Sequence, residues 1–577
     1  MVAWPAALSW LAWGYADLVA LRHARHAPPP APGPSGRSGT ARKPALLRTC
    51  QAGMLRLVVQ ECRTDATVFS AIRTRAGGGE TFRGCQREGV FSAGGRLAAV
   101  GGSRHDPQPA QLKGDRVLVM LAAVLCTTAA GWAYSRFLAE PQRLWGRMDH
   151  DRNTHYLAGL RLGLDVRHGR LIDTLLDVHR LRTWPPLHAL LVAATTCLAG
   201  ADYRWAVLPN VAAWGASIWL MFLIARRVSP SAGTLAGTAA AFWMLTSPAH
   251  RAFACDLMLE SLGTMLTLLA VHSYLAARAR GQGMSRMLAL SLTLLFYAKY
   301  NYWLLALAAV ASCEAARHRA LLRGLVDSSN GAGLGRWLAQ QGRRPLSWMC
   351  GVLAAMCAAS LVLGPEPRVV WGGLRLGGMN QNLWHLAFLA LVARIAVHWR
   401  EEGAQLWRRL PPGGRVFALW HVVPSAAWFL LPKRLGYFIW FLSPENGPNS
   451  EGGLLRALDY YWTCARVDYH AADWTLAAAA SLALAAFWRL PKLRPGAGIL
   501  LALFVLGTVL AAKHPNRKSR FLHTWLPGGW AAAGAGLACL ASGAGGRGGR
   551  QRAAGWCAAA AMWALGSPYL ADRPCVP

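Results

Sequence analysis

Acidic residues are scarce in this chain, and charged residues of either sign are few. Against 61 Lys and Arg there are only 27 Asp and Glu among 577 residues, and all charged residues together make up 15%. Hydrophobic residues make up 54%, and there are 27 Trp. Such a high hydrophobic fraction with so few charged residues is unusual for a soluble domain and is typical of a protein that crosses the membrane several times.

The excess of basic residues gives a formal net charge of +34, which in a soluble protein would indicate nucleic acid as the partner. Here the Arg residues lie in short connections between apolar runs. In that position they anchor helices to anionic lipid headgroups and set the orientation of the chain. We therefore expect membrane lipids as partners and no nucleic acid.

Paired cysteines are absent. The 13 Cys are scattered singly from Cys50 to Cys575, with no C-x-x-C and no Cys/His spacing typical of zinc. Several lie inside apolar runs, where Cys behaves as a small hydrophobic residue. The sequence thus excludes a disulfide framework and a structural zinc site.

Apolar segments of 17 to 25 residues recur from about residue 116 to the end, and each is long enough to cross a hydrocarbon core of about 30 Å. They predict an all-α polytopic membrane protein with about 11 to 13 spans over residues 116–570. The run at 287–312 contains Lys299 and can form either one span or two half-helices that meet there. Residues 1–115 are instead rich in Pro, Gly, Ser and Arg for most of their length. We interpret them as a disordered or misassigned N-terminal extension.

A polar loop, residues 139–185, separates the first span from the rest. It contains Asp149 and Asp151, flanked by His150 and His155. A carboxylate just outside a membrane helix can act as a general base on an acceptor hydroxyl. Two alternatives remain open: the cluster can bind a divalent metal ion, or Asp151 can be the N-cap of a helix.

The remainder of this loop predicts two short helices. Four residues share roughly one face of the first helix, which suits it to the membrane surface; they are Tyr156, Leu157, Leu160 and Leu164. Asp173 and Asp177, four residues apart, are expected to face the same way on the second helix. Trp184-Pro185-Pro186-Leu187 closes the loop, because Pro is favoured in the first turn of the next helix.

This order of motifs resembles the GT-C glycosyltransferases, and in particular the branch of protein O-mannosyltransferases and aminoarabinose transferases. In those families an acidic motif in the first extracytoplasmic loop is followed by Pro-Pro-Leu. Three later stretches are similar to family motifs: Leu245-Thr246-Ser247-Pro248 with Arg251 and Asp256, Ala298-Lys299-Tyr300-Asn301, and Lys513 to Leu522 with Leu526-Pro527. The sequence departs from the family at Asp151-Arg152, where an Asp-Glu pair is usual, and at Trp184, where aminoarabinose transferases have Lys.

The resemblance implies an inverting glycosyltransferase that moves a sugar from a polyprenyl-phosphate donor to an acceptor on the extracytoplasmic face. Asp149 or Asp151 would be the catalytic base. Basic residues would stabilise the charge on the leaving phosphate. The residues expected to bind substrate are His155, Tyr156, Asp173, Asp177, Lys299, Lys513, Arg517 and Arg520.

A glycan, a lipid or a protein could each be the acceptor, and no cofactor is implied apart from a possible divalent metal. The composition favours a multi-pass protein of a bacterial inner membrane. Two rival hypotheses remain. In a secondary transporter, an intramembrane Lys between broken helices would line the substrate path. In a non-catalytic assembly factor, neither Asp would matter for transfer.

Overall fold

The computed structural model describes residues 109–146, 149–181, 184–230, 232–319, 339, 342–363, 368–369, 375–376, 381–442, 453–514, 517–542 and 548–566. The chain divides into two units, residues 1–100 and 101–577, and every described residue belongs to the second. The predictions for residues 1–108 therefore lie outside the described residues. Other residues outside the described ranges are Met148, Trp371, Glu445, Glu451 and most of the basic segment between Arg317 and Arg344.

The described residues are almost entirely helical. The first half contains α1 (Pro109–Ala139), α2 (Gln142–Trp145), α3 (His150–Arg167), α4 (Leu171–Arg180), α5 (Leu187–Ala199), α6 (Tyr203–Ala206), α7 (Leu208–Val228), α8 (Gly233–Thr246), α9 (Pro248–Ala254), α10 (Glu260–Ala279), α11 (Arg286–Ala298) and α12 (Tyr300–Arg317). The polar loop predicted between residues 139 and 185 thus consists of three short helices.

The second half begins with α13 (Pro345–Leu363) and a two-residue antiparallel ribbon, β1 (Arg368–Val369) with β2 (Arg375–Leu376). It continues with α14 (Gln381–Arg409), α15 (Pro412–Phe417), a π-helical turn (Ala418–Val422), α16 (Val423–Phe429), α17 (Arg434–Leu442), α18 (Leu454–Cys464), a second π-helical turn (Ala465–Tyr469) and α19 (Asp473–Trp488). The last elements are a 3₁₀ turn (Leu490–Lys492), α20 (Gly498–Lys513), a second 3₁₀ turn (Ser519–Phe521), α21 (Leu522–Ala541) and α22 (Gly548–Gly566).

The protein is an all-α polytopic membrane protein, as the sequence predicted. Within the described residues, two helical stretches are long and apolar enough to cross a membrane without a break, Tyr203–Val228 and Asn382–Gln405. Two bent pairs raise this number to four if each is one span: Pro412–Phe429 with Arg434–Phe441, bent by 99°, and Leu454–Tyr469 with Asp473–Trp488, bent by 118°. Five further apolar helices are shorter than 18 residues.

These numbers are lower than the 11 to 13 spans expected from hydropathy, because several apolar runs are interrupted. The run at 233–250 ends at Thr246 because Pro248 begins a new helix, α9. The run at 287–312 consists of α11 and α12, which meet at Lys299 in an extended conformation (φ −161°, ψ 116°). Of the two alternatives that the sequence left open for this run, two half-helices is the one observed.

The main core lies between α7, α8, α10 and α21, where Trp214, Phe242, Trp243 and Trp530 are almost fully buried. The loop helix α3 packs against α5 at the side of this core. Two glycines on α3, four residues apart, make this contact close. A Cβ atom at Gly159 would lie 2.4 Å from Val192 Cβ, and one at Gly163 would lie 2.6 Å from Thr196 Cβ.

Candidate functional site

The first turn of α3 carries both aspartates of the polar loop. Asp149 is the N-cap, and its Oδ1 accepts a hydrogen bond of 3.0 Å from the backbone N–H of Arg152. The sequence had suggested Asp151 as the cap. Because the helix begins at His150, Asp151 instead lies inside the first turn with its carboxylate free for tertiary contacts. There it also benefits from the positive end of the helix dipole.

Asp151 lies at one end of a network of four charged side chains. Its Oδ2 is 2.8 Å from Arg520 Nη2, and Arg520 Nε is 3.7 Å from Glu260 Oε1. Glu260 Oε1 also accepts a hydrogen bond of 2.6 Å from Lys299 Nζ. Two carboxylates face two cations, so the network as a whole is neutral. Such balance is what buried charges require, because an unpaired ion inside a protein is strongly destabilising.

The side chains of this network become more buried from Asp151 to the pair of Glu260 and Lys299. The Glu260 side chain is 1% exposed and that of Lys299 4%, whereas Arg520 is 16% and Asp151 29% exposed. The network therefore opens to its surroundings on the side of Asp151. Molecules that react with these groups would approach from there.

Local structure fixes both members of the buried pair. Glu260 is the first residue of α10, where the positive end of the helix dipole favours a carboxylate. Asn210 of α7 fixes the turn before it by donating to the carbonyls of Asp256 and Met258, at 2.5 and 2.7 Å. Lys299 stands at the break between α11 and α12, with its ammonium 4.3 Å from the centre of the Tyr302 ring.

Two tyrosines hold the turn that presents Arg520. The hydroxyl of Tyr302 donates to the carbonyl of Arg520 at 3.3 Å, and that of Tyr469 donates to the carbonyl of Ser519 at 3.1 Å. Both tyrosines are buried. The 3₁₀ turn Ser519–Phe521 is thereby tied to α12 and to the π-helical turn that ends at Tyr469, so that the guanidinium lies between Asp151 and Glu260.

A second buried ion pair anchors the start of α3. Arg152 Nε and Nη2 donate to the two carboxylate oxygens of Asp256 at 2.6 and 3.2 Å, and Arg152 Nη1 donates to the carbonyl of Leu144 at 2.9 Å. Both side chains are nearly inaccessible. A bidentate pair of this kind fixes direction as well as distance. It ties the helix that carries Asp151 to the segment just before Glu260.

Partial burial by itself would raise the pKa of Asp151, but the charge and hydrogen bond of Arg520 outweigh it and, with Lys518, hold that pKa below its ordinary value. Asp151 is therefore ionised at neutral pH. His155, one turn further along α3, is buried against the rings of Trp184 and His188. Burial lowers the pKa of His155 to about 4, so its imidazole is neutral at physiological pH.

Of the residues predicted from the sequence, Asp151, Lys299 and Arg520 meet in the network, and His155 lies beside it. Tyr156 points elsewhere, since its hydroxyl donates to the carbonyl of Ala201 at 2.6 Å. Lys513 is exposed at the end of α20, and Arg517 is half-buried before the turn of Arg520.

The two later aspartates of the loop do not share an environment, contrary to expectation. Asp173 is exposed, whereas Asp177 is buried and pairs with Arg161 at 2.7 Å and Arg180 at 2.5 Å. Although only one helical turn separates the two residues, neighbouring side chains cover Asp177 and leave Asp173 in contact with solvent. Asp177 is thus held by two arginines of the loop itself.

Similarly, the face of α3 that packs inward differs from its apolar face. It is formed by Arg152, His155, Gly159, Leu162, Gly163 and Asp165. Leu157, on the predicted apolar face, is 60% exposed. The exposed apolar side chains suit a helix at the membrane surface, while the polar ones build the site.

Glu260 is the functional residue that sequence reasoning missed. It lies within an apolar run, as Lys299 does, and an acid in that setting is a functional hypothesis by default. Arg152 was noted only as a departure from a family motif, although its pairing with Asp256 is the tightest ion pair of α3. In the part of the chain that the structure describes, no group of three or more His, Cys, Asp or Glu could hold a metal ion.

No protein-family model and no curated protein matches the sequence. Among solved structures, the chain is similar to ArnT from Cupriavidus metallidurans bound to undecaprenyl phosphate, with 14% identity and a TM-score of 0.38 over 78% of this chain and 65% of that one. It is also similar to the apo state of that ArnT, with 15% identity and a TM-score of 0.21 over 72% of this chain and 79% of that one.

Both structures are of ArnT. The chain spans just under two thirds of the length of the first of them. Similarity at this TM-score does not align individual side chains. The chemistry of the site accordingly rests on the residues of this chain.

Proposed function

We propose that this protein is an integral membrane glycosyltransferase that transfers a sugar from a polyprenyl-phosphate donor to an acceptor hydroxyl or amine. The observation that supports this most is the contact of Asp151 with Arg520. It places an ionised carboxylate, suited to remove a proton, next to a guanidinium, suited to bind a phosphate, at the open side of the network.

In the proposed reaction, the acceptor oxygen or nitrogen attacks the anomeric carbon as its proton passes to the carboxylate of Asp151. The bond between that carbon and the phosphate oxygen breaks on the opposite face, which inverts the configuration. The polyprenyl phosphate leaves with one additional negative charge. Arg520, with Lys299 behind it, stabilises that charge, and Lys518, Arg517 and Lys513 attract the anion towards the site.

Asp151, rather than Asp149, is the proposed base. The carboxylate of Asp149 is engaged as the N-cap of α3. Asp151 faces Arg520 and is partly exposed, so that an acceptor can reach it. We assign His155 to the wall of the site, where a neutral, buried ring can contact the sugar. The proposal places the site on the extracytoplasmic face of a bacterial inner membrane.

The experiment that tests this function measures transfer from a panel of radiolabelled polyprenyl-phosphate sugars by the purified protein. Asp151→Asn is expected to lose about 10²- to 10⁴-fold in rate, the usual contribution of a general base. Asp149→Asn is expected to keep most of the activity, because Asn is as good an N-cap as Asp. Asp459→Asn removes an exposed carboxylate of α18 and is the matched control. Wild-type protein that uses no donor, or Asp151→Asn with full activity, would contradict the proposal.

One observation favours a transporter as the second candidate. The buried pair of Lys299 and Glu260 lies at a break between two half-helices, a place where transporters bind their substrates. Transport of a solute by reconstituted protein that transfers no sugar would support this alternative.

A further inference from the structure

We propose that Asp151 and the donor phosphate compete for Arg520, so that binding of the donor itself releases the carboxylate that acts as the base. This inference rests on the proposed function and adds to it an order of events. The observation behind it is that not every donor of the Arg520 guanidinium has an acceptor.

The guanidinium of Arg520 is only partly satisfied. Nη2 contacts Asp151 at 2.8 Å, but Nε is 3.7 Å from Glu260 Oε1, too far for a hydrogen bond. Accordingly, Arg520 Nε and Glu260 Oε2 are buried and make no hydrogen bond to any described residue. Glu260 Oε1 is already occupied by Lys299 at 2.6 Å. One edge of the guanidinium thus retains a donor that a better acceptor could take.

The two ends of the network differ in how readily they can be separated. Lys299 and Glu260 are almost fully buried, and parting them would leave two uncompensated charges. Asp151 is 29% exposed, and a released carboxylate there can be hydrated. An ion pair that is open to solvent contributes little to stability. The contact of Asp151 with Arg520 is therefore the one that an incoming ligand can replace.

A phosphate monoester or diester is suited to replace it. Its oxygens match two parallel donors of a guanidinium, so it can bind Nη2 and Nε together, whereas Asp151 contacts Nη2. The exposed Lys518 lies close enough to influence Asp151 electrostatically and would favour an anion at the same opening. Asp151 would then lose its cation at the moment when the donor is in place.

The consequence for chemistry is an ordered reaction. A carboxylate paired with a cation is a weak base, and the same carboxylate without that partner accepts a proton more readily. Asp151 would accordingly become an effective base only beside a bound donor. When only an acceptor is bound, the carboxylate of Asp151 would still be paired with Arg520.

The competition predicts that removing Asp151 strengthens donor binding even though it abolishes transfer. The experiment measures the Kd of a polyprenyl phosphate without sugar for the purified full-length protein in detergent, by equilibrium binding of radiolabelled lipid. Asp151→Asn is expected to lower the Kd by roughly 5- to 10-fold, since Arg520 no longer has to leave a charged partner. Asp151→Ala serves as a second variant and should bind at least as tightly as Asp151→Asn.

Asp459→Asn is the matched control, because it removes one negative charge from an exposed position of α18 without altering Arg520. It should bind like the wild type, which separates competition from a general change in charge. In Asp151→Asn combined with Arg520→Gln, the gain should disappear. If the wild type binds the lipid and both Asp151 variants bind it equally or more weakly, the inference is overturned while the proposed function stands. If the wild type binds no polyprenyl phosphate, both are overturned.

Discussion

Lys299 Nζ donates to Glu260 Oε1 at 2.6 Å, and both side chains are almost completely buried. The two residues are neutralised by each other in a part of the chain that is otherwise apolar. Each would be very unfavourable alone, so removal of only one partner is expected to destabilise the fold. The carboxylate of Glu260 also faces Arg520, and this contact links the stability of the helices to the geometry of the site.

Lys299→Met is expected to destabilise the protein by about 3–5 kcal/mol, because Glu260 would lose its nearest cation inside the protein. The double variant Lys299→Met with Glu260→Leu should be more stable than Lys299→Met, since it leaves no buried carboxylate without its lysine. Thermal unfolding of the purified variants in detergent measures both effects. Lys513→Met, which alters an exposed lysine, is the control and should change stability little. A double variant that is less stable than Lys299→Met would show that the pair is not mutually compensating.

The proposed sugar transfer at low pH should depend on Arg520 and Lys518. These cations lower the pKa of Asp151, which favours the ionised form. Activity that requires this form is retained above that lowered pKa and is lost as the pH falls through it. In the profile of kcat/KM against pH, which reflects the free enzyme, the acid limb should therefore lie below the ordinary range for Asp.

Neutralising either cation raises the pKa of Asp151, so the acid limb should move to higher pH. Lys518→Gln is expected to shift it slightly and Arg520→Gln further, because Arg520 contributes both charge and a hydrogen bond. Arg520→Lys keeps the charge and should shift it less than Arg520→Gln. An acid limb that stays in place in all three variants would mean that Asp151 is not the titrating base.

Close packing of α3 on α5 is expected to be a requirement for activity. In Gly159→Val the added side chain would collide with Val192, since even a Cβ would lie 2.4 Å from its Cβ. The helix would shift outward together with Asp151, and a misplacement of about 1 Å can lower a rate by about 100-fold. Sugar transfer and thermal unfolding measure the two consequences.

Gly131→Ala is the matched control for this prediction, because a Cβ at Gly131 of α1 would meet no atom within 4 Å. It should have wild-type activity and stability. Combining Gly159→Ala with Val192→Gly should be tolerated better than Gly159→Ala alone, because Val192→Gly removes the Cβ that the added methyl group would meet. Full activity of Gly159→Val would contradict the proposed role of this contact.

Much of the fold follows from local sequence, while the site depends on contacts that local sequence does not encode. Apolar runs are enough to predict that the chain is helical, whereas the helix end before Pro248 and the break at Lys299 are seen in the structure. Asp151 was a candidate as a carboxylate just outside a membrane helix, and Lys299 and Arg520 were candidates in stretches similar to family motifs. Nothing in the sequence, however, indicated that Glu260 would join Lys299 to Arg520.

The residues whose environment differs from the prediction show which physical effects give neighbouring side chains different roles. Whether Asp149 or Asp151 is the N-cap depends on where α3 starts, a shift of two positions that determines which carboxylate stays available. Asp173 and Asp177 have the same spacing as a pair on one helical face, yet only Asp177 meets Arg161 and Arg180. Such partners come from tertiary packing, and helical periodicity alone does not reveal them.

The network has a consequence for the order in which the chain can mature during synthesis. Glu260 and Lys299 emerge from the ribosome 39 residues apart and can neutralise each other as soon as their helices meet. Asp151 is made earlier than both, but its cation, Arg520, arrives 369 residues after it. A nascent chain can thus shield its most costly charges early, while the pair that would perform chemistry forms only after Arg520 has been made.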